Sequence, residues 1–173
     1  GGDKKKLFNK FNLAVAKIAS RSEIKPEITG VFFTPQKTVA TDGYCLLEVE
    51  APRNLKVEDY PIVPVAGRKK TAMRSFKPFI VPAKGIETIK LSLKSTLPVL
   101  DTFAVSDVRD EHVEFLTTNL ESGEIKTIKR IDGQFPDYQR IIPQSKPVLE
   151  IKLSGELLLE LVKIMAAMNE DGQ

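Results

Sequence analysis

Two of the three Asp-Gly pairs in the chain, Asp42-Gly43 and Asp132-Gly133, each close a short run of apolar and β-branched residues. Gly tolerates a positive φ and Asp closes an Asx-turn, so each pair marks a tight turn. A chain punctuated this way is built from short strands. Around the first pair, Thr38–Thr41 and Tyr44–Val49 read as adjacent strands. In the second, Tyr44, Leu46 and Glu48 face one way and Cys45, Leu47 and Val49 the other. Ile28–Phe33 reads as the strand before them, with Pro35-Gln36-Lys37 as the joining turn. Thr102–Val108 and His112–Thr117 form a hairpin about Arg109-Asp110-Glu111, followed by a strand over Glu124–Ile131.

Helical periodicity is confined to a few places. Residues 4–21 are expected to form a helix, because Leu7, Phe8, Phe11, Ala14, Val15 and Ile18 recur at spacings of three and four. Lys6, Lys10, Lys17 and Arg21 then share a separate face roughly 60° wide. That face is either a solvated lysine face or, if other basic residues join it in space, a phosphate-facing stripe. Pro82 suits the first turn of a second helix over 82–90, with Ile86, Ile89 and Leu93 as its stripe and Lys90 and Lys94 on another face. Ile89, Leu91 and Leu93 also alternate as a strand would. Residues 51–76 are a Pro- and Lys-rich connection carrying Gly67-Arg68-Lys69-Lys70, a solvated loop or a phosphate contact. After a polar joint at Gln144–Pro147, Val148–Leu153 reads as a strand. Ser154 caps a last helix with a stripe of Leu157, Leu161, Ile164, Met165 and Met168. A helix-plus-strands pattern thus appears twice and begins a third time, without a strict sequence repeat.

Composition removes several classes. The 173 residues hold 26 Lys+Arg and 23 Asp+Glu, a net charge of +3, so any nucleic-acid contact must come from local clustering. One Cys and one His exclude a disulfide framework and a Cys- or His-based metal cage, and no cofactor is expected. The apolar runs fall far short of a membrane span, and the start carries no secretory signal, so a cytoplasmic protein with no membrane contact is expected. Asp107, Asp110, Glu111, Glu121 and Glu124 sit in polar turns with no His partner. His112 alternates with apolar neighbours in a strand, and Cys45 reads as a buried, inert thiol. With no P-loop or dinucleotide fingerprint present, an enzyme is not expected.

Three segments in this order carry a resemblance. Val39-Ala40-Thr41-Asp42-Gly43-Tyr44-Cys45-Leu46 is similar to the V-A-T-D-G-H-R-L stretch of the bacterial DNA polymerase III beta subunit, the sliding clamp family. Ile131–Pro143, running I-D-G-Q-F-P-D-Y-Q-R-I-I-P, resembles the family's I-D-G-x-F-P-D-Y-x-R-V-x-P. Val81-Pro82-Ala83-Lys84 resembles the V-P-x-K that opens the second helix of a clamp domain, and Lys25–Gly30 matches R-P-V-L-N-G more weakly.

The resemblance implies an α+β DNA-clamp (processivity fold) domain over residues 4–143, with helices packed on one face of antiparallel sheets. Residues 148–173 would be the strand-helix start of a following clamp-like domain or a C-terminal extension. The strand that usually precedes the first helix is expected to be missing. The chain is then either a piece of a longer protein or a short relative, and ring closure by it alone is in doubt. The implied function is that of a non-catalytic DNA polymerase processivity factor. It would tether DNA polymerase, clamp loader and repair proteins to duplex DNA. Weak, non-specific phosphate contacts are expected from Lys6, Lys10, Lys17, Arg21, Lys84, Lys90 and Lys94. Short linear peptides would enter a pocket formed by Ile28, Thr41, Gly43, Tyr44, Leu46, Pro136, Arg140 and Ile141, with self-association as a further partner mode. Tyr44 and Cys45 stand where the family has His and Arg, so peptide binding is expected in altered form. The competing reading is a clamp-like protein-interaction module that does not encircle DNA.

Overall fold

The computed structural model describes residues 6–56, 58, 60, 76–91, 97–140, 154–156, 158, 159 and 164. The chain divides into two compact units, Gly1–Pro136 and Asp137–Gln173. The joint expected at 144–147 and the strand expected at 148–153 lie outside the described residues, as does the Gly67–Lys70 cluster.

The first unit holds two four-stranded antiparallel sheets. One runs β1-β6-β7-β8, with β1 at Lys6–Asn9, β6 at Thr102–Val108, β7 at His112–Thr118 and β8 at Gly123–Lys129. The other runs β4-β3-β2-β5, with β2 at Gly30–Phe33, β3 at Lys37–Thr41, β4 at Leu46–Glu50 and β5 at Phe79–Pro82. Helices are few and short: α1 covers Lys10–Ala14 and passes into a 3-10 segment, Val15–Ile18, and α2 covers Ala83–Ile86.

The single helix expected over 4–21 is corrected by β1. Leu7 and Phe8 are both buried, but on opposite faces of a strand that pairs with β6 through Leu7↔Ala104 and Phe8↔Phe103. Neighbouring apolar residues that face opposite ways mimic part of a helical stripe. The strand thought to be missing before the first helix is therefore present. The helix begins only where Asn9 caps it: the Asn9 side chain accepts from the Phe11 and Asn12 N–H groups, and the Asn12 side chain bonds back to the Asn9 N–H. Because the helix starts late, Phe11 falls outside the core and is 59% exposed. The second helix is shorter than the expected 82–90; Ile86 and, beyond its end, Ile89 are buried, and Leu93 lies outside the described residues.

The sheets enclose an aromatic core. Phe33 of β2 packs against Phe79 of β5 at 5.1 Å, Phe8 of β1 at 5.2 Å and Phe115 of β7 at 5.6 Å between ring centroids. Val15, Ala16 and Ala19 from the first helical stretch and Ala83 and Ile86 from α2 complete the same cluster. Asn12 is fully buried here, and its amide nitrogen donates to Thr38 Oγ1 (3.0 Å) and to the carbonyl of Val49 (3.0 Å). A buried amide so satisfied fixes the first helix against β3 and β4.

Each sheet's other face is covered by chain. Tyr60 lies with Leu7, Ala104 and Leu116 over the first sheet, and its hydroxyl donates to the Leu116 carbonyl at 3.1 Å. Burial pushes this phenol up to about 12. Over the second sheet runs the segment after β8. The Ile131 N–H donates to the Ile80 carbonyl (2.9 Å), and Phe135 stacks on Phe32 at 4.9 Å. A Cβ on Gly30 would meet the Val81 carbonyl oxygen at 2.6 Å and Ile131 Cδ1 at 2.7 Å, so only glycine lets these layers close.

In the second unit, a 3-10 turn spans Tyr138–Arg140, with Arg140 Nε 2.6 Å from Asp137 Oδ2. Further on, the Leu158 N–H donates to the Ser154 carbonyl at 3.1 Å, the spacing of a helix beginning at the expected cap.

Replacing Phe33 by Ala is expected to cost about 3–5 kcal/mol in urea unfolding. Phe11→Ala on the exposed side should cost roughly 0.5 kcal/mol. Equal losses would show that the aromatic cluster is not what holds the sheets together.

Candidate functional site

One backbone group draws the candidate residues together. The Ser20 N–H donates both to the Ile28 carbonyl (2.9 Å) and to the Thr41 carbonyl (3.2 Å). The 20–28 segment is thereby held beside the end of β3. There the Asp42-Gly43 turn closes as its composition requires. Thr41 Oγ1 donates to the Cys45 carbonyl (2.6 Å) and accepts from the Gly43 N–H (3.1 Å). Asp42 Oδ1 accepts from the N–H groups of Tyr44 and Cys45, each at 2.8 Å. Gly43 takes φ +96°, where a side chain would be strained. This turn turns Tyr44 outward, and it is 99% exposed.

Between the turn and the 20–28 segment lies a cleft of about 340 Å³, lined by Ser20, Ser22, Ile24, Lys25, Ile28, Asp42, Gly43 and Tyr44. The N–H groups of Cys45 and Tyr44 hold the Asp42 carboxyl below the ordinary carboxylate value. The nearby Asp42 carboxylate, which accepts from Cys45 Sγ at 3.4 Å, pushes the Cys45 thiol up. Cys45 is exposed, which corrects the expectation of a buried thiol. The turn ends before it, and its side chain lies outside the sheet pairing that begins at Leu46.

Of the residues expected to form a pocket, Ile28, Gly43 and Tyr44 line this cleft, and Thr41 forms the turn at its edge. Leu46 is the direct ladder partner of Thr41. Pro136 follows Phe135, which stacks on Phe32; Phe32 pairs with Val39, on the same face of β3 as Thr41. Arg140 belongs to the second unit and is paired with Asp137, and Ile141 lies outside the described residues. Sequence reasoning missed Ser20, Ser22, Ile24 and Lys25. Their hydroxyl-to-backbone bonds, Ser22 N–H to Ser20 Oγ (3.1 Å) and Ile24 N–H to Ser22 Oγ (3.5 Å), follow a local turn pattern legible in the sequence. Their approach to the Asp-Gly turn depends on the distant Ser20 bond.

The expected phosphate-facing residues are dispersed. Lys6 is in β1 rather than on a helix, and lines a separate cleft of about 590 Å³ with Lys37, Glu48 and Glu50. Lys10 pairs with Asp101 (3.2 Å) and Arg21 with Glu87 (3.0 Å). Lys90 Nζ lies 3.4 Å from the Glu87 carbonyl. Lys17 and Lys84 are exposed, and Lys94 lies outside the described residues. The Arg21–Glu87 pair brings the chain after the first helical stretch to the end of α2, so Arg21, Lys84 and Lys90 share one region.

The Asp42 turn gives a pH prediction. Its folded-state value is depressed, so the stabilisation it supplies is complete above the ordinary 3.8 and is lost as pH falls through the lower folded value. The amide resonances of Tyr44 and Cys45 should shift with a midpoint below 3.8, and Asp42→Asn should abolish that titration. A midpoint at or above 3.8 would contradict the hydrogen-bonded turn.

No protein-family profile matches the chain. A curated relative, the beta sliding clamp of Vibrio cholerae, is 28% identical over 130 residues, which is 72% of this chain and 28% of the relative. The chain thus spans less than a third of that protein's length. Among solved structures, the Bacillus subtilis DNA polymerase sliding clamp superposes with a TM-score of 0.53 at 17% identity, covering 82% of this chain and 33% of that one. DNA polymerase III subunit beta from Borrelia burgdorferi gives 0.52 at 19% identity, covering 84% and 35%. At those identities the structural likeness establishes the fold. The chain carries an α+β sliding-clamp domain fold and resembles, over most of its length, the bacterial DNA polymerase III beta subunit.

Proposed function

We propose that this chain is part of a DNA polymerase processivity clamp. It is a non-catalytic element that keeps polymerase, clamp loader and repair proteins on duplex DNA in the cytoplasm. The observation that carries this reading is the meeting of Ile28, Thr41, Gly43 and Tyr44 at one cleft in a clamp-type fold. Their positions are among those that the sliding-clamp resemblance assigns to a peptide pocket. The cleft is concave and combines apolar walls from Ile24 and Ile28 with a few polar groups, the character of a site for a short linear segment. Self-association into a ring belongs to the same reading.

Its second part is loose contact with phosphates. Lys17, Lys84 and Lys90 are exposed cations on or beside the short helices, and Lys94 follows them in sequence. Water-mediated contacts from such groups carry no base preference and permit sliding. One observation favours the alternative, a clamp-like interaction module that does not encircle DNA: Lys10 and Arg21 have acidic partners within 3.2 Å, which lowers the field available to phosphates.

Two measurements test these readings. A labelled clamp-binding peptide should bind in the micromolar range, and Tyr44→Ala should weaken it by about 1–2 kcal/mol without loss of stability, because Tyr44 is 99% exposed. Binding indifferent to Tyr44→Ala and Ile141→Asp would remove the pocket. For DNA, retention should fall steeply with salt, and Lys17→Glu with Lys84→Glu should flatten that slope by about two counterions. Salt-independent retention, or none at low salt, would leave the interaction module as the reading.

A further inference from the structure

Cations from separate parts of the chain converge just beyond the end of α2. Arg21, from the stretch after the first helical turns, places Nη2 3.0 Å from Glu87 Oε1. Lys90 Nζ lies 3.4 Å from the Glu87 carbonyl, and Lys126 Nζ of β8 donates to the Thr88 carbonyl at 3.1 Å. Lys84 is exposed one helical turn before Glu87. Sequence spacing gives no hint of Lys126 here, since 38 residues separate it from Thr88. It arrives because β8 packs closely on α2: a Cβ on Gly85 would meet Ile128 Cγ2 at 2.8 Å, and Ile128 and Lys126 share one face of the strand. Among the described residues, Glu87 is the one carboxylate paired with any of these four cations. Its ion pair with Arg21 is open to solvent, with the side chains 58% and 41% exposed, so a second anion can displace the carboxylate at small cost. The Lys90 and Lys126 ammoniums each give one proton to a backbone carbonyl and keep others to give.

We propose that Glu87 is a built-in competitor of nucleic-acid phosphate. Its carboxylate occupies Arg21 and opposes the field of Lys84, Lys90 and Lys126, which keeps the grip of this face on duplex DNA weak. Binding then exchanges one anion for another: the Arg21 guanidinium leaves Glu87 and takes a phosphate oxygen in a charge-assisted bond. Lys126 extends the contact from α2 onto β8. This rests on the phosphate-contact reading and adds the residue that sets the strength of that contact.

The test follows a fluorescein-labelled DNA duplex of mixed sequence by anisotropy, with the full chain and over a range of salt. Glu87→Gln is expected to bind about fivefold tighter at low salt, and its plot of log affinity against log salt should steepen by about one counterion. Adding Arg21→Gln to that variant should return the affinity to that of the wild-type chain. Glu121→Gln makes the same change of charge in the β7–β8 turn, and it should leave affinity within about twofold. Lys126→Gln should flatten the salt slope by about one counterion. The thermal midpoint by circular dichroism is not expected to move in Glu87→Gln, since Glu87 is exposed. Glu87→Gln no tighter than the wild-type chain, a gain matched by Glu121→Gln, or a gain that survives Arg21→Gln overturns the inference while leaving the phosphate contacts standing. A salt slope indifferent to Lys126→Gln overturns the extension onto β8. No binding by either the wild-type chain or Glu87→Gln at low salt overturns the phosphate reading and this inference with it.

Discussion

The contact of Phe33 with rings from both sheets is the constraint from which the rest of the structure follows. Phe33 touches Phe79 within its own sheet and Phe8, Phe103 and Phe115 across the core. Aromatic side chains bring large buried area together with preferred edge and offset geometries, so a ring meeting four others fixes separation and relative rotation together. With the sheets so held, the inner face of β3 is set: Ala40 joins the core and Thr38 bonds the buried Asn12 amide. The outer face of the same strand then carries Val39 and Thr41 to the side where the cleft forms.

That outer face is completed from a distance. The segment after β8 returns across the second sheet and sets Phe135 on Phe32 at an interplanar angle of 6°. Gly30 permits the approach, since any side chain there would strike the Val81 carbonyl or Ile131. The I-D-G-x-F-P stretch is thus a strap. Its Phe anchors it, its Gly133 takes φ +135° to turn it, and Pro136 follows the anchor. The motif's residues have sufficient structural reasons to be what they are, and the position of Pro136 is a consequence of those reasons.

Much of the strand order was legible because alternation and turn chemistry are local. The 102–117 hairpin, the β3–β4 pair around Asp42-Gly43 and the buried Ile86 and Ile89 all follow from neighbouring residues. The beginning of the chain was not legible, for a physical reason. Leu7 and Phe8 face opposite sides of β1, and the boundary with the helix is written only in the Asn9–Asn12 capping box, which has no acidic or hydroxyl residue to announce it. Lys6 was misplaced with it, and the helical face assigned to Lys6, Lys10, Lys17 and Arg21 dissolved once Lys6 became a strand residue and Val15–Ile18 tightened to 3-10 geometry. Of the cleft, the Asp-Gly side was visible and the Ser20–Lys25 side was not. A bond between sequence-distant backbone groups, Ser20 to Thr41, helps join them.

The alternation along β3 also separates two kinds of effect. Thr38 and Ala40 report to the core, whereas Thr41 reports to the turn that sets Tyr44 in solvent. A one-residue slip of β3 would exchange the two faces, burying Lys37 and exposing Ala40, at a cost that the packed aromatic core does not permit. The register of the site is therefore inherited from the core, while its chemistry is carried by exposed groups such as Tyr44 and Lys25 whose exchange leaves the core untouched. A fold arranged in this way can alter the chemistry of its rim without altering the framework that positions the rim. Tyr44 and Cys45, which stand where the resembling clamp stretch has His and Arg, lie entirely on that exchangeable side.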